Sequence, residues 1–341
     1  MTNKEIAKTL GISPAALSLI LNHKPGVSDQ TRAAVLQKIA EMGYSHLIKP
    51  IREESKIGKT ICFIVYLKHG KILNQHPFFL LLMESIESHA RKFGYNIILM
   101  TMDAKSTIND QFESLYRMNP SGVILFATEM EDEDIRPFMS LPFPYVAIDN
   151  DFPYLDINTV AINNQLGTYQ AIEYLIHQGH TNIGYFHSSD YINSFAERQR
   201  GYSQALKHFG LKLESDFIFH VRYSEEESYQ DIRNILKNTH DLPSAFVCDD
   251  DTIAIGALRA LTACGYSIPE DVSLIGFNDR PNSLITLPPL TSVNVPKGSF
   301  GSAAVSALVS LIDKRERGSW ERSLKTRLGT QLSIRESVRK L

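Results

Sequence analysis

The sequence is poor in cysteine, and its cysteines are not paired. Only Cys62, Cys248 and Cys264 occur among 341 residues, and no Cys-x-x-Cys spacing is present. A disulfide framework or a structural zinc site needs several cysteines at short, regular spacing. The sequence therefore argues against both and favours a reducing compartment.

Long apolar runs are also missing. The first ten residues, MTNKEIAKTL, hold no apolar core of signal-peptide length, and the densest apolar run, 78–83, is far too short to span a bilayer. We therefore expect no membrane partner and a cytoplasmic location.

Sequence motifs for catalysis and cofactor binding are lacking as well. There is no G-x-S-x-G nucleophile turn, no G-x-G-x-x-G dinucleotide loop and no G-x-x-x-x-G-K phosphate loop. The acidic run Asp249-Asp250-Asp251 could attract a hard cation, but consecutive side chains diverge and no second ligand group has matching spacing. We expect no enzyme activity, no cofactor and no bound metal.

Charge is unevenly distributed along the chain, although the net charge is only −3. Residues 1–59 carry nine Lys and Arg against five Asp and Glu, whereas residues 60–341 carry 26 against 33. Attraction to phosphates is local, because salt screens it beyond about 10 Å. A basic N-terminal end beside an acidic body is compatible with a small DNA reader joined to a regulatory domain.

The N-terminal stretch predicts two short helices separated by a tight turn. Thr2 and Glu5 have the spacing of a capping box, and Gly11 suits the left-handed conformation just past a helix end. Ser13 is a second N-cap, followed by Pro14 at the first helical position. This is the pattern of a helix-turn-helix.

A third helix completes this stretch. Ser28 or Asp29 caps it, apolar residues repeat at helical spacing, and Gly43 ends it. Three such helices form either a DNA-reading unit or a small bundle with no DNA role. The spacing alone leaves both interpretations open.

From residue 59 onward, strand-like and helix-like stretches alternate, which predicts βαβ units and mainly parallel sheets. The predicted strands are 60–66, 95–100, 122–126, 145–148, 182–186, 217–220, 245–248 and 273–276. The predicted helices are 79–93, 109–118, 165–178, 194–209, 228–237 and 253–264. Two similar α/β lobes are the simplest outcome, and 43% hydrophobic residues can fill their cores.

A family resemblance runs along nearly the whole chain. In the first stretch it rests on Ile6-Ala7, Leu10-Gly11-Ile12-Ser13, Ser18-Leu19-Ile20-Leu21-Asn22, Val27-Ser28, Thr31-Arg32 and Gly43-Tyr44. In the body it rests on His76-Pro77-Phe78-Phe79, Glu197-Arg198-Gln199-Arg200-Gly201-Tyr202, Ile268-Pro269-Glu270-Asp271-Val272-Ser273, Ile275-Gly276-Phe277-Asn278-Asp279 and Pro288-Pro289-Leu290-Thr291-Ser292-Val293. The chain resembles the LacI/GalR family of bacterial transcription regulators.

The resemblance implies a fold and a division into domains. It implies an N-terminal all-α helix-turn-helix headpiece at 1–46, a hinge or linker at 47–59, and a two-lobed α/β core at 60–341 that is similar to the periplasmic sugar-binding proteins. Each lobe would be built from two separate segments of the chain. The N-lobe would comprise about 60–160 and 292–322, and the C-lobe about 161–291 and 323–341.

The linker departs from the family pattern. It carries Pro50, and Glu53 falls near the position at which the family inserts a leucine into the minor groove. Either the operator is bent less by this protein, or a neighbour such as Ile51 takes the place of the leucine.

The resemblance also implies a set of DNA contacts, because in the family the start of the second helix faces base edges. Carried over to this sequence, the DNA-binding positions are Thr2, Ser13, Pro14, Ala15, Ala16, Ser18, Leu19, Asn22, Thr31 and Tyr44. The side chains of Pro14, Ala15 and Leu19 cannot hydrogen-bond to bases. We therefore expect specificity to rest on thymine methyl contacts and DNA shape.

A ligand should lie where the carboxyl ends of the two sheets face each other, so residues that follow strands are the candidates. Aromatic faces can stack on a ring, and guanidinium, carboxylate, amide and hydroxyl groups can bind ligand hydroxyls. The candidate effector-binding residues are Phe78, Phe79, Asp149, Ser194, Arg198, Tyr223, Asp250 and Asn278. Phe79 could equally be a core residue, and Asp251 is better explained as a helix cap than as a ligand.

The resemblance implies a ligand-responsive, sequence-specific DNA-binding regulator, expected to repress genes of sugar uptake or catabolism. Its expected partners are near-palindromic double-stranded operator DNA, a sugar-like effector and a second copy of the chain in a homodimer. A nucleobase or nucleoside is the second choice of effector. The alternative function is a solute-binding protein without DNA binding, which would account for the two-lobed core only.

Overall fold

The structure, a computed structural model, describes residues 3–21, 26–44, 59–72, 77–239, 241–318 and 322–341. Its contacts divide the chain into two compact units, 1–58 and 59–341. Apart from Lys59, the predicted linker 47–59 with Glu53 lies outside the described residues, and so do Thr2 and Asn22.

In the described residues of the first unit, three helices surround a small apolar core. They are α1 (Asn3–Thr9), α2 (Pro14–Leu21) and α3 (Asp29–Glu41). The Ser13 hydroxyl accepts the N–H of Ala16 at 3.0 Å, and the Ser28 hydroxyl accepts the N–H of Thr31 at 3.3 Å. Both predicted caps are therefore confirmed, with Ser28 rather than Asp29 at the start of α3. The helices meet at Ile6, Ala7, Leu17, Ile20, Leu21, Val35 and Ile39.

The second unit is built from alternating strands and helices, as the sequence predicts. Its strands are β1 (Thr60–Leu67), β2 (Asn96–Asp103), β3 (Gly122–Phe126), β4 (Tyr145–Ile148), β5 (Thr159–Ile162), β6 (Ile183–Ser188), β7 (Ile218–Val221), β8 (Ala245–Cys248), β9 (Ser273–Asn278), β10 (Thr291–Asn294), β11 (Lys325–Leu328) and β12 (Gln331–Ser333). Its helices are α4 (Pro77–Lys92), α5 (Ile108–Met118), α6 (Asp132–Ile135), α7 (Asn164–His177), α8 (Asn193–His208), α9 (Glu225–Leu236), α10 (Asp251–Ala263) and α11 (Lys297–Glu316). None of the helices in the described ranges combines the length and apolarity that crossing a membrane requires.

These strands form two sheets of six, which confirms the predicted α/β class. The first sheet has the order β11-β5-β4-β3-β1-β2, and all its pairs are parallel. The second has the order β12-β10-β9-β8-β6-β7, parallel except for the β10–β12 pair. The central strands are buried along their length because helices cover both faces of each sheet.

The two sheets define two lobes, each made from separate pieces of chain. The first lobe is the first sheet with α4, α5, α6 and α11, and the second lobe is the second sheet with α7, α8, α9 and α10. The chain crosses between them after Ile162, Asn294 and Leu328. The crossings between the lobes were expected near residues 160, 291 and 323, a few residues before these strand ends.

Six of these elements lie outside the predicted alternation: β5, β10, β11, β12, the single-turn helix α6 and the long helix α11. The four strands have only three or four residues each, too few for an alternating pattern to be recognised. The helix α11 does carry a readable signal, because Phe300, Ala304, Leu308 and Ile312 are buried at a spacing of four.

Candidate functional site

The second helix of the first unit presents a small and uncharged surface. Its first and last turns contain no acidic or basic residue among the positions described. The exposed residues are Ser13, Pro14, Ala15 and Ser18, and the half-buried ones are Ala16 and Leu19. This surface therefore offers methyl and ring carbons together with two hydroxyl groups.

The orientation of α2 is fixed from two sides. Leu17 and Ile20 are buried in the core of the unit, and the Arg32 guanidinium on α3 donates to the Leu19 carbonyl at 3.3 Å. Beside this helix, Thr31 is exposed at the start of α3, and Tyr44 is half-buried against the core just beyond its end. Of the predicted DNA-contacting positions that the structure describes, six thus lie on or just before α2, whereas Thr31 lies on α3 and Tyr44 follows α3.

A cleft lies between the two lobes of the second unit, at the carboxyl ends of their strands. In the lobe arrangement described here its internal volume is only about 20 Å³, and its mouth is open to solvent. The first lobe contributes Phe126, Thr128, Asp149 and Ile162, and the second lobe contributes Ile192, Ser194, Phe195, Arg198, Asp250 and Asn278. Five of the predicted effector-binding residues are therefore brought together here, although they are spread over 130 positions of sequence from Asp149 to Asn278.

Arg198 forms the floor of the cleft and is held rigidly by the protein itself. Its Nε donates to Asn164 at 3.0 Å, and its two terminal nitrogens donate to the Asp249 carbonyl and, at 3.5 Å, to the Asn278 side chain. The guanidinium also stacks on the Phe277 ring, 3.7 Å from the ring centroid. Since a guanidinium has five N–H groups, two remain for a ligand.

The Asp250 carboxylate is already engaged by its neighbours. It caps α10 by accepting the N–H of Thr252 at 2.7 Å, and it accepts Arg280 Nη2 at 3.0 Å and the Asn278 amide. A fully buried carboxylate needs such partners, because an unpaired buried charge is costly. Asp250 thus lies in the cleft wall mainly as a support that orients Asn278.

The three consecutive aspartates diverge into three different environments. Asp249 accepts the Tyr185 hydroxyl at 2.6 Å, Asp250 caps α10, and Asp251 accepts the Ser292 hydroxyl at 2.6 Å. Burial and the neighbouring Asp250 raise the pKa of Asp251 to about 6. The predicted cap role of Asp251 is therefore wrong: Asp250 caps the helix, and Asp251 is its first residue.

Two cleft residues have left-handed backbone conformations that are unusual for side chains other than glycine. The φ angles are +69° at Asp149 and +94° at Asn278. Lys297 stabilises the second of these by donating to the Asn278 carbonyl at 2.7 Å. Such conformations cluster at ligand sites, where surrounding contacts hold them in place.

Asp149 is the cleft carboxylate with the fewest compensating contacts. Thr128 donates to it at 2.6 Å, and within the described part of the chain no lysine, arginine or histidine nitrogen pairs with it. Burial raises the pKa of Asp149 to about 6, although the Thr128 hydrogen bond and the charge of Arg198 act in the opposite direction. The side chain is therefore available to accept hydrogen bonds from a ligand.

Two predicted aromatic contacts lie one layer behind the cleft surface. Phe79 packs against Phe63 and Phe126 in the first lobe, with ring centroids 6.0 and 5.9 Å apart. Tyr223 is buried behind Phe195, and its hydroxyl accepts Arg280 Nη2 at 2.7 Å. Neither residue is among those that line the cleft in the described structure. The side chain of Phe78 lies outside the described residues.

Comparison with known proteins agrees with both units. The family "Bacterial regulatory proteins, lacI family" matches residues 2–46, and the "Periplasmic binding protein-like domain" family matches residues 172–338. Similar full-length proteins are the HTH-type transcriptional repressor PurR of Pasteurella multocida (strain Pm70), 28% identical over 99% of this chain and 98% of the relative, and the NTD biosynthesis operon regulator NtdR of Bacillus subtilis (strain 168), 29% identical over 99% of both. A solved complex of the transcriptional regulator CelR with cellobiose covers 99% of both chains at 26% identity, with a TM-score of 0.70.

The chain belongs to the lacI family of bacterial regulatory proteins. It is a DNA-binding transcriptional regulator with a periplasmic-binding-protein-like effector core, as the sequence predicts. The alternative of a solute-binding protein without DNA binding is not supported, because the full-length relatives are regulators that match the headpiece as well as the core.

Five lining residues of this lacI-family cleft were not among the predicted ligand contacts. They are Phe126, Thr128, Ile162, Ile192 and Phe195. Phe126 ends β3 and Thr128 follows it, so the rule that ligands lie beyond strand ends would have found both. Ile192 and Phe195 lie around the start of α8, and no local sequence signal separates them from core residues.

Proposed function

We propose that this regulator binds a polyhydroxylated small molecule, a sugar or sugar derivative, in the interlobe cleft, and that binding changes its affinity for a near-palindromic operator. The observation that carries the proposal is the meeting of Asp149 from the first lobe with Ser194, Arg198 and Asn278 from the second in one cleft. A ligand that contacts both lobes favours one arrangement of the lobes by the difference in its affinity for the two states.

The chemistry of the cleft suits a sugar. Asp149 and Asn278 can accept hydrogen bonds from ligand hydroxyl groups, Arg198 has two N–H groups to donate, and Ser194 can donate or accept. Phe126 and Phe195 offer faces for an apolar side of a ring. The cellobiose complex of the similar regulator CelR supports the same class. A nucleobase or nucleoside, which also stacks and hydrogen-bonds, is the alternative.

For the headpiece, we propose that α2 reads DNA through its uncharged surface. Pro14, Ala15 and Leu19 would contact thymine methyl groups, and Ser13, Thr31 and Tyr44 would contact phosphates, with Thr2 and Asn22 in the positions that the family resemblance implies. Ala16 and Ser18 complete the surface. Such a reader depends on DNA shape more than on hydrogen bonds to bases.

We further propose a homodimer whose interface includes exposed apolar residues of the second unit. Leu80 on α4 and Leu99 on the edge strand β2 are 69% and 53% exposed, and Ile285 and Leu287 after β9 are 79% and 86% exposed. Clusters of exposed large apolar side chains mark interaction surfaces. A twofold dimer would also match the symmetry of a near-palindromic operator, with half-sites about 34 Å apart.

We assign no catalytic role to the charged residues of the cleft. Arg198 and Asp250, the most deeply placed charged groups of the cleft, are engaged in hydrogen bonds that hold other residues in position. We therefore propose a regulator rather than an enzyme. Because its operator would be bacterial chromosomal DNA, it would act in the cytoplasm.

Thermal unfolding of the full chain with a panel of compounds tests the effector class. The panel comprises cellobiose, hexoses and pentoses in one arm and adenosine and free nucleobases in the other. A compound at 100 times its Kd adds about 2.7 kcal/mol to the free energy of unfolding. We expect stabilisation in the sugar arm. Stabilisation by the nucleoside arm alone would contradict the proposed class.

Selection of genomic fragments followed by gel shifts at several salt concentrations tests the DNA-binding part independently. We expect a specific fragment with a near-palindromic site, and an affinity that falls as salt rises. Failure to select any fragment, with and without the stabilising compound, would contradict specific operator recognition.

A further inference from the structure

The segment 68–72, which follows β1 at the edge of the cleft, is held by one buried carboxylate. Glu129 accepts four backbone N–H groups of this segment, those of Lys68 at 3.0 Å, His69 at 3.1 Å, Gly70 at 2.8 Å and Ile72 at 3.0 Å. The turn also requires the left-handed backbone of Gly70, whose φ is +73°. A carboxylate that accepts several N–H groups fixes a loop firmly, because charge-assisted hydrogen bonds are the strong ones.

The tip of this segment reaches into the other lobe. Ile72 is only 1% exposed and belongs to a hydrophobic cluster whose other described members come from the second lobe. Among them are Ile192 and Phe195, which also line the cleft. A residue of the first lobe is thus part of the second lobe's core directly behind the cleft wall.

A charged contact accompanies this apolar one. Lys71 Nζ lies 2.5 Å from Oδ1 of Asp190, which follows β6 of the second lobe. The Asp190 side chain is mostly buried, whereas Lys71 is largely exposed. Because exposed ion pairs contribute little free energy, the burial of Ile72 supplies the larger share of the free energy of this contact.

We propose that residues 68–72, positioned by Glu129, form an interlobe latch that stabilises the lobe arrangement described here and controls access to the cleft. Opening the lobes requires Ile72 to leave the second-lobe cluster and Lys71 to leave Asp190. The latch therefore determines the fraction of molecules with open lobes before any effector binds. That fraction limits how far an effector can shift the equilibrium between the open and closed arrangements. Only this last consequence rests on the proposed function.

A distance measurement between the lobes of the full-length chain tests the latch. Spin labels are placed at Lys105→Cys in the first lobe and Lys237→Cys in the second, both exposed positions, in a Cys264→Ser background. Labelled chains are diluted into unlabelled ones, and the distance distribution is measured by double electron–electron resonance. Ile72→Ala should raise the ratio of long to short distances about tenfold or more, as removal of a buried isoleucine contact implies.

The ion pair provides a second arm that does not disturb the core. Lys71→Glu should also increase the long-distance population, and Lys71→Glu combined with Asp190→Lys should restore it. The matched control is Lys212→Ala, which removes an exposed lysine paired with Glu214 of the same lobe at 2.6 Å. It should leave the distribution unchanged.

Hydrogen exchange tests the role of Glu129 as the residue that positions the segment 68–72. In Glu129→Gln, the amides of 68–70 and 72 should exchange at least tenfold faster, and the long-distance population should rise as in Ile72→Ala. If all variants keep the wild-type distance distribution, or if Lys71→Glu with Asp190→Lys is as open as Lys71→Glu alone, the latch is wrong. Neither effector nor DNA enters these measurements, so the result is independent of whether the proposed function holds.

Discussion

At the scale of single residues, most polar side chains of the cleft are held in place by other protein groups before a ligand arrives. Arg198 uses three of its N–H groups on Asn164, Asp249 and Asn278, and Asp250 is fully engaged. Positioning of this kind lowers the entropic cost of binding. Asp149 is the exception, since it rests on the Thr128 hydroxyl and has a raised pKa.

The partly buried Asp149 should make the ligand-free protein less stable as pH rises. Its pKa is about 6 in the folded chain and ordinary in the unfolded chain, so the folded state holds the proton more tightly. The free energy of unfolding should therefore fall between about pH 4 and pH 6 and stay level above that range. Each pKa unit corresponds to about 1.4 kcal/mol, so Asp149→Asn should stabilise by roughly 1–3 kcal/mol at pH 7 and by little at pH 4.

Chemical denaturation of both proteins at several pH values checks this expectation. The control is Asp241→Asn, which removes an exposed carboxylate outside the cleft and should not stabilise the protein at pH 7 as Asp149→Asn does. An Asp149→Asn protein that is no more stable than wild type at pH 7 would contradict the burial argument.

The reading helix supplies a second test at the same scale. Leu19→Arg introduces five N–H donors on the surface of α2, and Arg pairs well with guanine edges. It should change the preferred bases in a selection from random DNA. Ala34→Arg adds the same charge at an exposed position of α3 and should change only the overall, salt-dependent affinity. Identical base preference in all three proteins would show that α2 does not read DNA.

At the scale of elements, close backbone packing connects the fold to the cleft. A Cβ on Gly167 of α7 would lie 2.7 Å from Phe277 Cζ, and the Phe277 ring carries the Arg198 guanidinium. The position of α7 thus determines how deep Arg198 can lie. Position 167 needs a glycine because α7 passes directly over the Phe277 ring on which Arg198 stacks.

Gly167→Ala should therefore damage both stability and ligand binding. Overpacking should cost about 1–3 kcal/mol in the free energy of unfolding, and the displaced Phe277 and Arg198 should lower affinity for a stabilising sugar by roughly tenfold. Gly298→Ala is the control, since its Cβ would have no neighbour within 4 Å and should cost nothing. Chemical denaturation and ligand titration measure the two effects. Equal behaviour of the two variants would contradict this coupling.

The helices and strands differ in how far the sequence predicts them. Long elements such as α4 and α10 and the buried strands β1, β3 and β8 follow from periodicity and apolar runs. The strands β5 and β11 do not, because each has four residues and they pair with each other across more than 160 positions of chain. In the cleft, Asp149, Asp250 and Asn278 are predictable as strand-end residues, whereas Ile192 and Phe195 depend on the packing of α8.

At the scale of the whole molecule, the second unit is two lobes joined by three crossings of the chain. Asn278 connects the cleft to one of these crossings. Its side chain contacts Arg198 and Asp250, and its carbonyl accepts a hydrogen bond from Lys297 of α11. A ligand that moves Asn278 therefore acts directly on the crossing between β10 and α11. This is a physical route from the cleft to the first lobe.

The exposed apolar residues should determine the oligomeric state. Leu80→Lys combined with Leu287→Lys should convert the protein to a monomer in sedimentation experiments, since charges would face the apolar interface. Leu213→Lys, at a leucine that is 47% exposed elsewhere on the second lobe, should leave the dimer intact. Dimers of unchanged stability in the double variant would place the interface on another surface.

In the proposed function, a ligand in the interlobe cleft controls operator affinity. Its most direct test is the ratio of operator affinities with and without the stabilising sugar, measured by fluorescence anisotropy for wild type, Arg198→Ala and Arg200→Ala. Arg200 is exposed on the same helix and serves as the matched control. The sugar should change operator affinity about tenfold in wild type and Arg200→Ala and by less than twofold in Arg198→Ala. A wild-type ratio in Arg198→Ala would contradict the claim.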